Sequence, residues 1–186
     1  MRGLPELEKH LDLKYPASLH EDWKDPKRGV KLILKYFLAH EGCLFDLGNL
    51  IDALGQHHLG YHFVEWWTAI HLWENYRLLS LVEKYAGRYP AADLKRRRHW
   101  RLSRFQEVIP DDKMRDFLKE GCLTELGNLR LKLPDLLVYT PDKRNYAFVE
   151  VKGPGDSLTP LQEASFKKIE DCLKKDVCIA CLTKKP

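Results

Sequence analysis

The sequence has no apolar stretch that approaches the length of a membrane-spanning helix, because His, Glu and Lys interrupt its longest hydrophobic runs. Residues 1–6 also lack the apolar core of a signal peptide. Its five cysteines are an odd number without the spacing of a disulfide framework, and we expect reduced thiols. These absences predict no membrane partner and a cytoplasmic protein, or a nuclear one in a eukaryote. Secretion is expected only for a toxin.

The excess of positive charge is small, since the formal net charge is +4 at pH 7. This charge permits a phosphate-bearing partner without requiring one. Basic residues concentrate in one short segment with interleaved aromatic residues, and its candidate DNA-binding members are Lys95, Arg96, Arg97, Arg98, Arg101 and Arg104. The segment could lie along DNA phosphates or form a solvated helical face, and its composition leaves both interpretations open.

Helix signals dominate the first two thirds of the chain. Asp25-Pro26 is typical of an N-cap and a first-turn proline, and predicts a helix to about Glu41. The apolar segment 63–86, which Gly87 follows, predicts one long helix. Shorter helices are expected over residues 47–54, 93–107 and 112–120. We expect a helical extension over residues 1–60 and a core over residues 61–186.

The last third of the chain has a different pattern of hairpin, helix and strand. Apolar runs at 135–139 and 146–151 flank the turn-forming segment 140–145. Thr159-Pro160 then predicts the start of a helix to about residue 174, and residues 177–182 predict a strand. The C-terminal third therefore indicates strands combined with helices.

The expected hairpin brings two carboxylates together. If its turn is centred between Asp142 and Lys143, then Asp135 lies across from Glu150 on the neighbouring strand. The two side chains would be within reach of one ion.

The second strand of the hairpin adds a cation and a carbonyl group. Glu150 and Lys152 are two residues apart, so their side chains leave the same face of a strand. Val151 then points into the core, and its carbonyl can face the ion. Two carboxylates and a carbonyl suit Mg²⁺ or Mn²⁺, and a neighbouring lysine can stabilise an oxyanion.

The structural alternative is that an isolated Pro-Asp is turn chemistry and an isolated Glu-x-Lys is a solvated edge strand. The combination is more specific. Its residues are Pro134, Asp135, Glu150, Val151, Lys152, Gly153, Pro154, Gly155, Asp156, Ser157, Leu158 and Gln162. This motif resembles the VRR-nuclease branch of the PD-(D/E)xK superfamily, which includes the nuclease domain of the Fanconi-associated nucleases. The resemblance covers about residues 133–173.

The resemblance implies an α/β (α+β) fold, with a restriction-endonuclease-like core of mixed sheet flanked by helices. It also implies hydrolysis of phosphodiester bonds with Mg²⁺ or Mn²⁺, on branched or single-strand-containing DNA such as flaps and junctions. Asp135, Glu150 and Lys152 would be catalytic. Gln162 would touch a water or phosphate, with an ordinary surface glutamine as its structural alternative.

The family also places a metal-associated glutamate on a helix before the Pro-Asp motif. Glu65 is the candidate because it opens the long apolar segment, and Glu74 and Glu83 are its rivals there. A glutamate at a helix start is otherwise a partner of the helix dipole or a solvated residue.

Two other functions remain open from the residues. One is a restriction-type enzyme or an antibacterial DNA-degrading toxin on the same fold. The other is a non-catalytic nucleic-acid-binding domain, against which the intact Asp135, Glu150 and Lys152 argue. A homodimer and a larger partner protein are both compatible with a chain of this size.

Overall fold

The fold is seen in a computed structural model, whose described part includes the C-terminal third of the chain and two N-terminal stretches. The described residues are 7–25, 27–29, 31–32, 35, 63–82, 107–109, 112–113 and 132–185. Among these residues no helix is both long and apolar enough to cross a membrane.

Five strands of the described chain form one mixed sheet, with helices on both of its faces. In chain order the elements are β1 (His10–Pro16), α1 (Ala17–Lys24), α2 (Phe63–Tyr76), β2 (Leu79–Val82), β3 (Leu136–Tyr139), β4 (Tyr146–Lys152), α3 (Pro160–Leu173) and β5 (Val177–Lys185). The strand order is β1-β5-β4-β3-β2. β5 is parallel to both of its neighbours, whereas β3 is antiparallel to β4 and β2. This architecture confirms the expected fold class.

The β3–β4 hairpin has the register that the sequence predicts. Leu136 pairs with Val149 and Tyr139 pairs with Tyr146. The turn between these strands includes Lys143, which adopts a left-handed conformation with φ 59°. Continuing this register by one residue brings Asp135, which precedes β3, opposite Glu150 in β4. This is the pairing that the sequence predicts for the two carboxylates.

The alternation of side chains along β4 separates two hydrophobic clusters. Val149 and Val151 pack with α1 and α2 on one face of the sheet. Phe148 packs on the other face with the α3 residues Phe166 and Ile169. Successive strand residues point to opposite faces, so Glu150 and Lys152, which alternate with the two valines, lie on the α3 side of the sheet.

The long helix predicted over residues 63–86 is wrong for residues 77–82. α2 ends at Tyr76, and β2 begins three residues later. Arg77 adopts the left-handed conformation with φ 58°, and its backbone N–H donates to the carbonyl of Trp73 at 3.0 Å. This is an αL C-cap made by a residue other than glycine, which is why no local signal announced it.

The N-terminal region also differs from a purely helical extension. β1 is an edge strand of the main sheet, and its buried residues Leu11, Leu13 and Tyr15 alternate with exposed ones. The predicted N-cap is present, because the Asp25 side chain accepts hydrogen bonds from the backbone N–H groups of the second and third residues after it. The domain boundary near residue 60 stays a prediction, but β1 joins the sheet of the core.

The C-terminal helix and strand agree with the sequence-based expectations. α3 begins after Thr159 and ends before Lys174, and β5 begins at Val177. The helices expected over residues 47–54, 93–107 and 112–120 lie almost wholly outside the described residues, as does most of the helix expected after residue 25.

Candidate active site

Asp135 lies immediately before β3, and its side chain reaches the neighbouring strand. Its Oδ2 accepts a hydrogen bond from the backbone N–H of Val151 at 2.9 Å. In a strand the N–H and carbonyl of one residue point to the same side. The Val151 carbonyl therefore leaves β4 on the side of Asp135, as the hairpin pattern predicts.

Glu150 and Lys152 form a buried ion pair on the α3 face of β4. Lys152 Nζ lies 2.9 Å from Glu150 Oε1, and the two residues are 9% and 2% exposed. The pair is shielded from bulk water, so its attraction is screened less than that of a surface pair. The second carboxylate oxygen, Glu150 Oε2, is buried and has no hydrogen-bond partner within the described part of the chain.

Gln162 connects this ion pair to the start of α3. Its side-chain amide N–H donates to Glu150 Oε1, and its Oε1 accepts from Lys152 Nζ at 3.2 Å. The same Oε1 accepts from the Thr159 backbone N–H at 3.1 Å, while the Thr159 hydroxyl accepts from the Gln162 backbone N–H at 3.3 Å. These reciprocal bonds form a capping box. Gln162 is 2% exposed, so here it contacts protein groups and is not an ordinary surface glutamine.

The loop after β4 is held by the side chain and backbone of Asp156. Asp156 Oδ2 accepts from the Gly153 backbone N–H at 3.0 Å, and the Asp156 N–H donates to the Gly153 carbonyl at 3.1 Å. Gly155 has φ +83°, a conformation that other residues rarely adopt. This turn directs the chain from β4 into the capping box of α3.

Burial and neighbouring negative charge raise the pKa of Asp135 to about 7. Desolvation is the largest cause, followed by the charge of Glu150, and the charge of Glu65 adds to them. The Val151 N–H and the Lys152 cation oppose the shift but do not cancel it. The site therefore concentrates negative charge that is only partly compensated by protein groups.

Glu65 is thus within electrostatic range of Asp135, whereas its rivals are placed differently. Glu65 lies in the first turn of α2 and Glu74 is exposed near the end of that helix. Glu83 lies outside the described residues, and α2 ends before it. Placing Glu83 on the same helix was therefore wrong. The assignment of Glu65 to a metal site stays a prediction.

A divalent metal ion fits the residues that converge here, although they do not form a complete cage. Among the described residues, no three His, Cys, Asp or Glu side chains are grouped closely enough to hold a metal ion. The available donors are the Asp135 carboxylate, the unpartnered Glu150 Oε2 and the Val151 carbonyl. Hard oxygen donors of this kind suit Mg²⁺ or Mn²⁺, and a cation would offset the repulsion that raises the pKa of Asp135.

The basic segment and Thr159 differ from the other site residues in how the sequence predicted them. The candidate DNA-binding residues between 95 and 104 lie outside the described residues, so their role stays a prediction. Thr159 also belongs to the site, although the sequence pattern predicted it only as the start of α3. A threonine followed three residues later by glutamine is a capping-box signature, and that signal was present in the sequence.

A mixed sheet between helices, with Asp135, Glu150 and Lys152 at one end of a hairpin, defines a nuclease domain of the PD-(D/E)xK type. The family model of the VRR-NUC domain matches residues 71–180. The match covers more than half of the sequence, and the chain belongs to the VRR-NUC family.

Two relatives accompany the family match. The chain is 36% identical over 61 residues to the Fanconi-associated nuclease 1 homolog of Pseudomonas aeruginosa, which is 33% of this chain and 10% of the relative. A crystal structure of paFAN1 bound to 5′-flap DNA superposes over all of this chain and 39% of its own, with 18% sequence identity and a TM-score of 0.42. The chain therefore spans less than half of the length of each relative.

Proposed function

We propose that the protein is a metal-dependent DNA nuclease that hydrolyses phosphodiester bonds and selects branched or single-strand-containing DNA. Membership of the VRR-NUC family supports the reaction class. The name of the Pseudomonas aeruginosa relative, a Fanconi-associated nuclease homolog, favours a nucleic acid as the substrate. The motif resembles nucleases that act on flaps, junctions and crosslinked DNA, which favours branched DNA and a role in DNA repair.

The observation that carries the proposal is that, beside Asp135, the two carboxylate oxygens of Glu150 have different surroundings. Oε1 is engaged by Lys152, whereas Oε2 is buried without a hydrogen-bond partner in the described chain. A buried acceptor without a partner is costly in a structural site, but it is an available ligand in a metal site.

The residues divide the chemistry between them. Asp135, Glu150 and the Val151 carbonyl would hold Mg²⁺ or Mn²⁺, and Glu65 would add negative charge nearby. When bound, such an ion supplies Lewis acidity, which neutralises phosphate charge and acidifies water. The Lys152 ammonium lies beside Glu150 and donates hydrogen bonds to an oxyanion as it develops on the scissile phosphate.

The test is a cleavage assay of the full chain with Mg²⁺ or Mn²⁺ on single-stranded, duplex, flap and four-way DNA. We expect cleavage of branched substrates and a loss on the order of 10²–10³-fold in Glu150→Gln, which removes the charge and keeps the shape. The control is Asp171→Asn, since Asp171 is an exposed carboxylate of α3.

Other outcomes of the assay would replace the proposal. Cleavage of plain duplex with no branch preference would indicate a restriction-type or toxin nuclease. DNA binding without cleavage by any metal would indicate a non-catalytic domain. Equal turnover in Glu150→Gln and wild type would contradict the assigned site.

A further inference from the structure

The side-chain amide of Gln162 has one orientation that satisfies its surroundings. Its Oε1 faces three donors, namely the Lys152 ammonium and the backbone N–H and hydroxyl of Thr159, at 3.1–3.2 Å. Its Nε2 faces the carboxylate of Glu150, which only accepts hydrogen bonds. If the amide oxygen and nitrogen were exchanged, the amide N–H groups would face the donors of Lys152 and Thr159. The amide oxygen would then face the carboxylate of Glu150. Thr159 and Lys152 together therefore determine which end of the amide meets Glu150.

This orientation makes the two oxygens of Glu150 unequal. Oε1 accepts a hydrogen bond from Gln162 and is ion-paired with Lys152, whereas Oε2 accepts from no described residue. The hydrogen bond from Gln162 and the ion pair with Lys152 both oppose a rotation of the carboxylate that would present its two oxygens to one ion. Because Gln162 is anchored by the first turn of α3, the orientation of Glu150 depends on that helix start.

We infer that Gln162 is a positioning residue, anchored by Thr159, that holds Glu150 Oε1 and thereby presents Oε2 alone to the divalent cation. In this role the glutamine does not touch water or phosphate, in contrast to the expectation from the motif. This role rests on the proposed nuclease function, because kcat can be measured only if the protein cleaves DNA. Partners of metal ligands typically change metal affinity or activity by roughly 10–100-fold when they are removed.

Two substitutions of Gln162 separate positioning from helix capping. Glutamate at the third helical position completes a capping box as well as glutamine does. Gln162→Glu therefore keeps the acceptor for the Thr159 N–H but replaces the donor to Glu150 with a second carboxylate. Gln162→Met has a similar size and removes every polar interaction of the side chain. We expect both variants to lower kcat by roughly 10–100-fold, with a less than about threefold change in KM for DNA.

The second readout is Mn²⁺ binding to the full chain without DNA, measured by calorimetry. Gln162→Met should weaken Mn²⁺ binding by roughly 10-fold or more. Thr159→Val removes the hydroxyl but keeps the backbone N–H, so it should weaken Mn²⁺ binding by less, and Thr159→Ser should restore the wild-type affinity. The matched control is Asp25→Ala, which removes an N-cap from another helix and should lower thermal stability without changing kcat or Mn²⁺ affinity.

Three results would overturn the inference. Wild-type kcat and Mn²⁺ affinity in Gln162→Glu, with only thermal stability lowered in Gln162→Met, would make Gln162 a helix cap. A raised KM with unchanged kcat would make it a DNA-binding residue. Unchanged Mn²⁺ affinity in Gln162→Met would contradict the positioning of Glu150. If wild type binds Mn²⁺ but cleaves no DNA, the nuclease proposal fails, and Mn²⁺ affinity still decides the inference.

Discussion

Asp135 Oδ2 accepts a hydrogen bond from the backbone N–H of Val151 at 2.9 Å, so a side chain that precedes β3 is joined to the backbone of β4. The same carboxylate is partly buried beside Glu150, and its pKa is raised to about 7. A stabilising hydrogen bond and an electrostatic penalty therefore act on one residue. A cation bound at the proposed metal site would offset this penalty, which would relate the stability of the site to its proposed function.

The first prediction concerns the stability of Asp135→Asn without metal. The folded protein holds the Asp135 proton up to about pH 7, whereas an unfolded chain releases it near the ordinary aspartate pKa of 3.8. Stability present at low pH is therefore lost as the pH rises from about 4 to 7. Asparagine keeps an oxygen for the Val151 N–H and carries no charge. Its free energy of unfolding should exceed that of wild type increasingly over this range, by at most about 4 kcal/mol above pH 7.

Urea unfolding in EDTA at pH 5, 6 and 8 measures this difference. Asp142→Asn is the control of opposite sign, because the Thr140 hydroxyl, as the largest cause, lowers the pKa of Asp142. That carboxylate contributes stability above its unfolded pKa, so its variant should show a constant loss over these pH values. A stability difference for Asp135→Asn that does not widen with pH would contradict the assigned electrostatics.

The second prediction concerns Lys152→Met, which replaces the ammonium with an apolar chain of similar length. Since the proposed role of the cation is at the transition state, kcat should fall on the order of 10²–10³-fold, with little change in KM. The pKa of Asp135 should also rise, because Lys152 lowers it in wild type. Carboxyl NMR measures the pKa, and exposed Lys167→Met is the control. An unchanged kcat with a higher KM would reassign Lys152 to phosphate binding.

The third prediction concerns Glu65→Gln. Because the charge of Glu65 raises the pKa of Asp135, its removal should lower that pKa in the metal-free protein. If Glu65 assists metal binding, cleavage should also fall and recover partly at high Mn²⁺. If it is only a partner of the helix dipole, stability changes by about 0.3–1 kcal/mol and cleavage does not.

Glu74→Gln is the control for this substitution on the same helix, since Glu74 is exposed near the end of α2. Loss of cleavage in the Glu74 variant, with full cleavage in the Glu65 variant, would show that Glu74 and not Glu65 is the metal-associated glutamate of α2. Glu83→Gln tests the remaining candidate in the same assay.

The fourth prediction concerns the basic segment, where Arg96, Arg97 and Arg98 are replaced together by glutamine. For each phosphate that these arginines neutralise, the substitution should reduce the slope of log affinity against log salt concentration by about 0.9 on duplex DNA. Binding should weaken similarly for all sequences, because interactions with phosphates do not read bases. Fluorescence anisotropy at several salt concentrations measures the slope, and an unchanged slope would indicate a solvated face.

The local pattern of the last third predicted the hairpin, α3 and β5. Turn residues between two short apolar runs determine the register, and the register determines that Asp135 lies across from Glu150. The period of two along a strand likewise places Glu150 and Lys152 on one face. These relationships are local, so the sequence contained them.

The sequence alone was less informative where long-range packing decided the structure. The end of α2 depends on Arg77 in a left-handed conformation, and β2 follows within the same apolar run because it pairs with β3. β1 had a period-two signal in Leu11, Leu13 and Tyr15, but its place beside β5 depends on residues almost 170 positions away.

The chemistry of the site was determined by residue type, and its organisation by the tertiary structure. The sequence by itself supplied an aspartate, a glutamate and a lysine with the spacing of one hairpin. Only the packing of α3 on the sheet placed Gln162 between Glu150, Lys152 and Thr159. Only the burial of Asp135 near Glu150 and the start of α2 raised its pKa. Desolvation and charge interactions depend on which groups surround a side chain in space, which no local pattern specifies.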